Sequence, residues 1–520
     1  MNKKIIIRTA IIASVLMMSV TAGLTTAVYA APPAKPGNSS NSAKTINHVG
    51  EFEYDQSSSE SDKTYDTTTG GKNTILVKSG TANFLKTTVS KTGDEDSGDD
   101  SDFYGTNAAI LSINSSKIKI TDSNITTNAK HGNAVFAYGD STIEITDTSI
   151  HTSSSNSGAL MVTGGGTLKA TNVTAETDGN SSAPIRSDRG GGTMTISGGK
   201  YTSNGVGSPV IYSTANVTVK DKAELIATAS EGVVIEGKNS VTLDGVSVGV
   251  TNTKLNGNSE TYKSFFIYQS MSGDASEGTG NFTMKKSKVT NHNGDIFFVT
   301  NTTANISLSD NSITNEDENG VFLKATSGKW GKSGKNGGQV TLTSENEPLS
   351  GDIVVDNVST LDASFKNRTS YKGTINGDNK AKNIRVTLDS NSRIILAGDS
   401  YISELSNEVS DNANIYANGH KLYVAGQEVT ISQETPGEWI YDFEDINEEE
   451  ATVSEENTEN KNDKTLMYIM LALASVGFIA ALFAVILIVK KGKNDKQDYI
   501  ERKTMERVVK NNMKKPWEKA

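Results

Sequence analysis

Ile118 to Ile125 reads IKITDSNI and Ile143 to Ile150 reads IEITDTSI: two apolar residues in alternation, a polar turn, then another apolar residue. The phrase returns as LKATNVTA from Leu168, MTISGGKY from Met194, VTVKDKAEL from Val217, VTLDGVSV from Val241, ISLSDNSI from Ile306 and VTLTSENEPL from Val340. Alternation within the phrase makes it a strand, and recurrence about every 25 residues makes the chain a repeat. A second apolar phrase precedes the first in each repeat: AAIL at Ala108, AVFA at Ala134, ALMV at Ala159, PVIY at Pro209, VVIE at Val233, FFIY at Phe265, IFFV at Ile296 and VFLK at Val321. Each repeat therefore supplies at least two strands, with their turns, to one coil of a solenoid.

The composition fits a loop-rich, exported β protein. Of 520 residues, 47 are Gly and only 6% are aromatic. Gly and Asn provide the positive-φ corners that a coil needs, while Thr, Val and Ile favour the strands between them. The eight prolines are too few to interrupt the ladders. The absence of cysteine excludes a disulfide scaffold, a thiol nucleophile and thiolate metal sites.

The two ends predict a location. Residues 1–30 have a basic start (Lys3, Lys4, Arg8), an apolar stretch and a small-residue site at Val28-Tyr29-Ala30, the pattern of a secretory signal peptide. Leu466 to Val489 carries no charge and is long enough to cross a bilayer as one helix. After it, Lys490 to Ala520 holds eleven Lys/Arg against five Asp/Glu, whereas Glu434 to Lys464 holds twelve acids against two lysines. The basic side stays in the cytoplasm, so the bulk of the protein is expected outside a cell membrane that it spans once. The acidic segment supplies most of the overall charge of −11 and reads as a self-repelling stalk. The predicted organisation is a signal peptide (1–30), a linker and N-terminal cap (31–66), a parallel β-helix (67–431), an acidic stalk (432–464), a transmembrane helix (465–489) and a basic tail (490–520).

Stacking the repeats in register puts like on like. Ile110, Phe136, Met161, Ile185, Ile211, Ile235, Ile267, Phe298 and Leu323 are expected to form one interior ladder. Ile120, Ile145, Ala170, Ile196, Val219, Leu243, Met284 and Leu308 are expected to form another. The fold class is all-β, a right-handed parallel β-helix of about twelve coils at ~4.8 Å per coil, with a single C-terminal transmembrane helix. Its ends are sheet edges that require caps, for which 47–66 and 390–431 are the candidates.

The segments SDFYGTNAAIL (Ser101 to Leu111), SDRGGGTMTISGGKY (Ser187 to Tyr201), GSPVIYST (Gly207 to Thr214), EGVVIEGKNSVTL (Glu231 to Leu243), YQSMSGDA (Tyr268 to Ala275) and FFVTNTTANISL (Phe297 to Leu308) resemble a family of bacterial surface proteins. These are adhesin-like right-handed parallel β-helix proteins with a pectin-lyase-like fold. The likeness covers roughly residues 69–429. It implies the fold and an extracellular location, and no established activity comes with it.

The same fold class hosts polysaccharide lyases and polygalacturonases, so acid/base chemistry has to be weighed. The ordered Asn-Thr-Asp, Asp-Asp, Gly-His-Gly and Arg-Ile-Lys series of polygalacturonases is absent, and the five histidines are scattered. Coil stacking brings Asp188 and Arg189, Glu236 and Lys238, Tyr268 and Gln269, and Asn301 towards one face. Cations beside carboxylates on such a face suit a uronide lyase. They equally suit a cross-strand charge ladder that only stabilises. Asp94, Asp96, Asp99, Asp100 and Asp102, with Glu95, crowd one loop, either as a weak Ca²⁺ site or as a solvated acidic loop.

Tyr138, Tyr212 and Tyr268, with Gln269 and Asn301, are the candidate ligand-binding residues, since a sugar face stacks on an aromatic ring. A row of Phe266, Phe297 and Phe322 is either a contact patch or covered by the insertion 252–262. Thr-rich strands also occur in ice-binding solenoids, but the outward positions here vary in size and charge. No basic stripe points to nucleic acid. The expected function is a membrane-anchored, adhesin-like surface protein binding extracellular glycans or a host or neighbouring cell surface. Enzymatic action on polysaccharide and a purely structural surface role are the alternatives.

Overall fold

The computed structural model describes residues 46–255, 260–441 and 443. They form a right-handed parallel β-solenoid of about 15 turns. Over most of the stack each turn gives one strand to each of three faces, so hydrogen-bonded neighbours stand one coil apart in the sequence, and the last turns add separate four- and three-stranded sheets. The first sheet has 12 strands, from Gly50–Tyr54 to Ile353–Val355. The second has 14, from Ser58–Ser61 to Glu404–Asn407, and the third has 10, from Thr64–Thr67 to Ser312–Asn315.

The repeat phrase builds the second and third faces. In Lys117–Thr121, Ile118 and Ile120 are buried while Lys117 and Lys119 face outward. Asp122 then turns the corner with φ 50°, and Ile125 points back inside from the third sheet. Asp147, Asn172, Gly198, Asp221, Gly245 and Asp310 turn the same corner with positive φ. Asn, Asp and Gly tolerate that left-handed conformation best, which is why the polar turn of each phrase is written in those residues.

The second-sheet ladder has the expected register throughout: Ile120, Ile145, Ala170, Ile196, Val219, Leu243, Met284 and Leu308 are successive partners. The first-sheet ladder needs correction. Its interior column runs Ile110, Val135, Leu160, Ile185, Ile211, Val233, Phe265, Phe297, Leu323. Phe136, Met161 and Phe298 lie one residue later and point outward. Periodicity could not place them because both sides of that sheet are apolar and buried, so alternation disappears.

The turn count exceeds the expected twelve because the stack begins and ends beyond the clear phrases. Gly50–Tyr54 already pairs with Asn73–Val77. At the other end Arg393–Leu396 pairs with Ile415–Tyr416, and Ser400–Ile402 with Leu422–Val424. No helix among the described residues is long and apolar enough to cross a membrane. The expected signal peptide, the expected transmembrane stretch Leu466 to Val489, the basic tail and most of the expected acidic stalk lie outside the described residues.

Candidate functional site

The outward column of the first sheet reads Leu111, Phe136, Met161, Arg186, Tyr212, Val234, Phe266, Phe298 on consecutive coils. Exposed to water it would be a large apolar strip, and it is covered instead. The helix Gly98–Tyr104 lies over its N-terminal part, where Thr163 donates to the carbonyl of Phe103 at 2.7 Å. Trp330 closes over Tyr268 with ring centroids 5.4 Å apart. Phe266 and Phe298 stack beneath at 5.4 Å. Phe297 and Phe322, expected beside Phe266, belong to the interior.

Between the two apolar ends sits a buried polar network. Arg186 Nη2 lies 3.0 Å from Asp188 and 3.7 Å from Asp102. Asp102 also meets His131 Nδ1 at 3.1 Å. Arg189 donates from Nε to Asp274 at 2.6 Å and lays its guanidinium 3.7 Å over the Phe103 ring. One side chain thus joins the helix to the loop 269–276. Burial, with the charges of Asp274 and Asp102 adding to it, outweighs Arg186 and pushes the Asp188 carboxyl up to about 7.

Glu236 is the second centre. It accepts hydrogen bonds from the hydroxyls of Tyr212, Tyr268 and Ser270. Burial, followed by the neighbouring charges, holds both phenols well above their ordinary value, so they act as fixed donors. Gln269 and Asn301 serve the roof: Asn301 Nδ2 donates to the Gln269 carbonyl at 2.7 Å, and Gln269 Nε2 donates to the Ser270 carbonyl at 3.2 Å.

The structure therefore joins Asp188, Arg189, Tyr212, Glu236, Tyr268, Gln269 and Asn301 on one face. Lys238 is exposed and outside the network. Tyr138 belongs to the N-terminal apolar cluster, its ring 5.6 Å from Tyr104. Sequence reasoning missed Arg186, His131, Asp274 and Trp330, and took Asp102 for part of an acidic loop instead of a partner of Arg186 and His131. Arg186 carried a signal, being the one charge at a column position where earlier coils have Leu, Phe and Met. The roof residues carried none, because they come from insertions outside the repeat.

The acidic loop is spread out. Asp94 accepts from the Lys130 amide at 2.8 Å, Asp99 and Asp100 stand in the first turn of the helix, and Asp102 faces Arg186. Among the described residues no three carboxylate or imidazole groups converge as a metal site requires. A groove of about 350 Å³ elsewhere is lined by Asp352, Asp356, Asn376, Asp378 and Lys380. Asp352 accepts there from the Thr374 amide, and Asp356 from Ser327 and Ser359, so those carboxylates hold turns.

No family model, curated protein or solved structure matches the chain.

Proposed function

We propose that the chain is a membrane-anchored, adhesin-like surface protein whose solenoid binds extracellular glycans or partner surfaces. The observation that carries this reading is a contrast between two faces. On the first sheet, the carboxylates that acid/base chemistry would need are buried and engaged with Arg186, Arg189, Tyr212 and Tyr268. The second sheet, in contrast, presents fourteen strands with uncovered polar side chains. A long repetitive face suits many weak contacts acting together. The export and anchor patterns of 1–30 and 466–489 agree with a location outside the membrane. The likeness to adhesin-like, pectin-lyase-like surface proteins rests on the quoted segments alone.

A second reading, a lyase-type enzyme, has one observation in its favour: a carboxyl titrating near 7 beside Arg186, whose Nη1 is buried without a partner. One screen separates the two. The full-length chain is incubated with a glycan array and with acidic polysaccharides, with and without Ca²⁺, and both retention and release of unsaturated product are read. Retention without product is expected. Product that disappears in Arg186→Ala or Asp188→Asn would make the protein an enzyme.

A further inference from the structure

The outward side of the second sheet is ordered more strictly than the sequence suggested. After Ser59 and Asn83 in the first two coils, the central outward position is charged in the next three: Lys119, Glu144 and Lys169 are successive partners, with Glu144 3.5 and 3.6 Å from the two lysines. From Thr195 onward that position is a hydroxyl in every coil, passing through Thr218, Thr242, Thr283 and Ser307 and ending at Ser406. The expectation that outward positions vary in size and charge holds for the columns on either side, and the central column alone is regular. Beside it, two residues earlier on each strand, runs a column of Thr193, Asn216, Ser240, Asn281, Asn305 and Thr341.

Three properties define what such a surface can hold. First, none of the central hydroxyls hydrogen-bonds within the described residues, and all are partly or fully exposed. In the neighbouring column, Ser240 donates to Asn216 at 2.8 Å and Asn305 to Asn281 at 2.9 Å, which fixes how those amides face outward. Second, from the coil of Thr193 to that of Thr341 these two columns carry no charge. Charges stand in the third outward column, at Lys220, Asp244, Lys285 and Glu345, and enter the neighbouring column only beyond Thr341, at Asp362, Arg385 and Glu404. Third, the face repeats at the strand spacing of ~4.8 Å along the coil axis, on a scaffold held by ladders on both sides. A binding partner with the same repeat meets one prearranged hydroxyl per coil and loses little freedom of the protein on docking.

We infer that this face, from the coil of Thr193 to that of Thr343, docks a neutral, extended β-1,4-linked polysaccharide laid along the coil axis, one sugar ring per coil. The inference rests on the reading of the chain as a glycan-binding surface protein and names its ligand class. The advance of one ring along such a chain is close to one strand spacing. Its equatorial hydroxyls are both donors and acceptors, as Thr, Ser and Asn are. Within these two columns a polyanion would find no cation, and an apolar partner would find no apolar strip.

The test is sedimentation of the full-length chain with microcrystalline cellulose and with chitin, and with polygalacturonate gel as the anionic comparison. Thr242→Lys/Thr283→Lys places two charges in the central column. Thr202→Lys/Thr290→Lys places the same charges on the outward side of the third sheet. Ser307→Arg alters another coil and repeats the test should the double variant fold poorly. Retention on the neutral polymers is expected, falling at least tenfold in the second-sheet variants and unchanged in the third-sheet variant. Equal retention in all variants would overturn this inference while leaving glycan binding intact. Retention on polygalacturonate alone would overturn the neutral assignment. Self-association abolished by Thr242→Lys/Thr283→Lys, with no polysaccharide retained, would make the face a contact between copies. Retention on no glycan of any kind would overturn both this inference and the reading beneath it.

Discussion

Lys286 turns the corner between the second and third sheets with φ 49°, the position that Asp122, Asp147 and Asn172 occupy in earlier coils. A side chain without a local hydrogen-bonding group gains nothing there against the steric cost of the left-handed region, about 1 kcal/mol. Its amide donates to the Ser309 carbonyl at 3.0 Å, a bond that glycine retains. Lys286→Gly is therefore expected to stabilise the protein by about 1 kcal/mol, read as a raised midpoint in urea. Glu347 follows the same corner two coils later and is fully buried. One oxygen takes the amide and the side chain of Asn311 at 3.0 and 2.6 Å; the other has no partner. Burial, with Asp310 adding to it, pushes its carboxyl up to about 8. Because the folded chain keeps this proton where the unfolded chain has lost it, stability falls as pH rises from about 4.5 to about 8. Glu347→Gln should remove that slope, giving a variant about 2 kcal/mol more stable than the wild type at pH 9 and little changed at pH 5. Parallel thermal melts across this range check it, and an identical slope in the variant would assign the pH dependence to Asp188 instead.

Among the elements, the roof on the first sheet is the least repetitive part of the fold and depends most on single contacts. Arg189 holds the loop 269–276 through Asp274 and the helix Gly98–Tyr104 through Phe103. Arg189→Ala leaves Asp274 largely buried and unpaired and should cost about 2 kcal/mol. It should also loosen the cover over Tyr212 and Phe266, measured as faster proteolysis within 269–276 and increased dye binding. In Arg189→Ala/Asp274→Ala part of the loss should return, since no uncompensated charge remains. The same contrast explains what was legible in the sequence. The ladder Ile120 to Leu308 could be written down residue by residue because one side of the second sheet faces water and alternation survives. The first sheet is buried on both sides, so Phe136, Met161 and Phe298 could not be distinguished from their interior neighbours. Asp188, Arg189 and Glu236 were placed on one face by counting coils. Their partners Asp274 and Asp102 could not be, since insertions have no register to count.

At the scale of the whole stack, a parallel solenoid has to keep its terminal strands from pairing with another molecule. The first coil does this in two ways. An aromatic plug seals the interior: Phe52 meets Tyr65 at 4.9 Å, Tyr54 meets Phe84 at 5.5 Å, and the hydroxyls of Tyr54 and Tyr65 lie 3.1 Å apart. The edge strands also carry Glu51, Glu53 and Glu60, each paired to a lysine, and Glu53 takes the amide of Gly50 at 2.8 Å, occupying a donor the edge would otherwise offer. At the opposite end the three-stranded sheet is closed by a change of direction, because Leu422–Val424 pairs antiparallel with Gln427–Glu428 and cannot propagate the parallel ladder. Beyond it Arg393 lies 4.0 Å from the Trp439 ring and donates to the Gly437 carbonyl, tying the departing chain to the last coils. The N-terminal edge is thus protected by charge and the C-terminal edge by geometry, and only the first can be removed by exchanging side chains. Glu51→Thr/Glu53→Thr/Glu60→Thr leaves the plug in place and converts the edge to residues that favour strands. Sedimentation velocity over a concentration series should then detect end-to-end oligomers that the wild type does not form. A variant that stays monomeric would mean that the plug alone, without the carboxylates, keeps this edge from pairing.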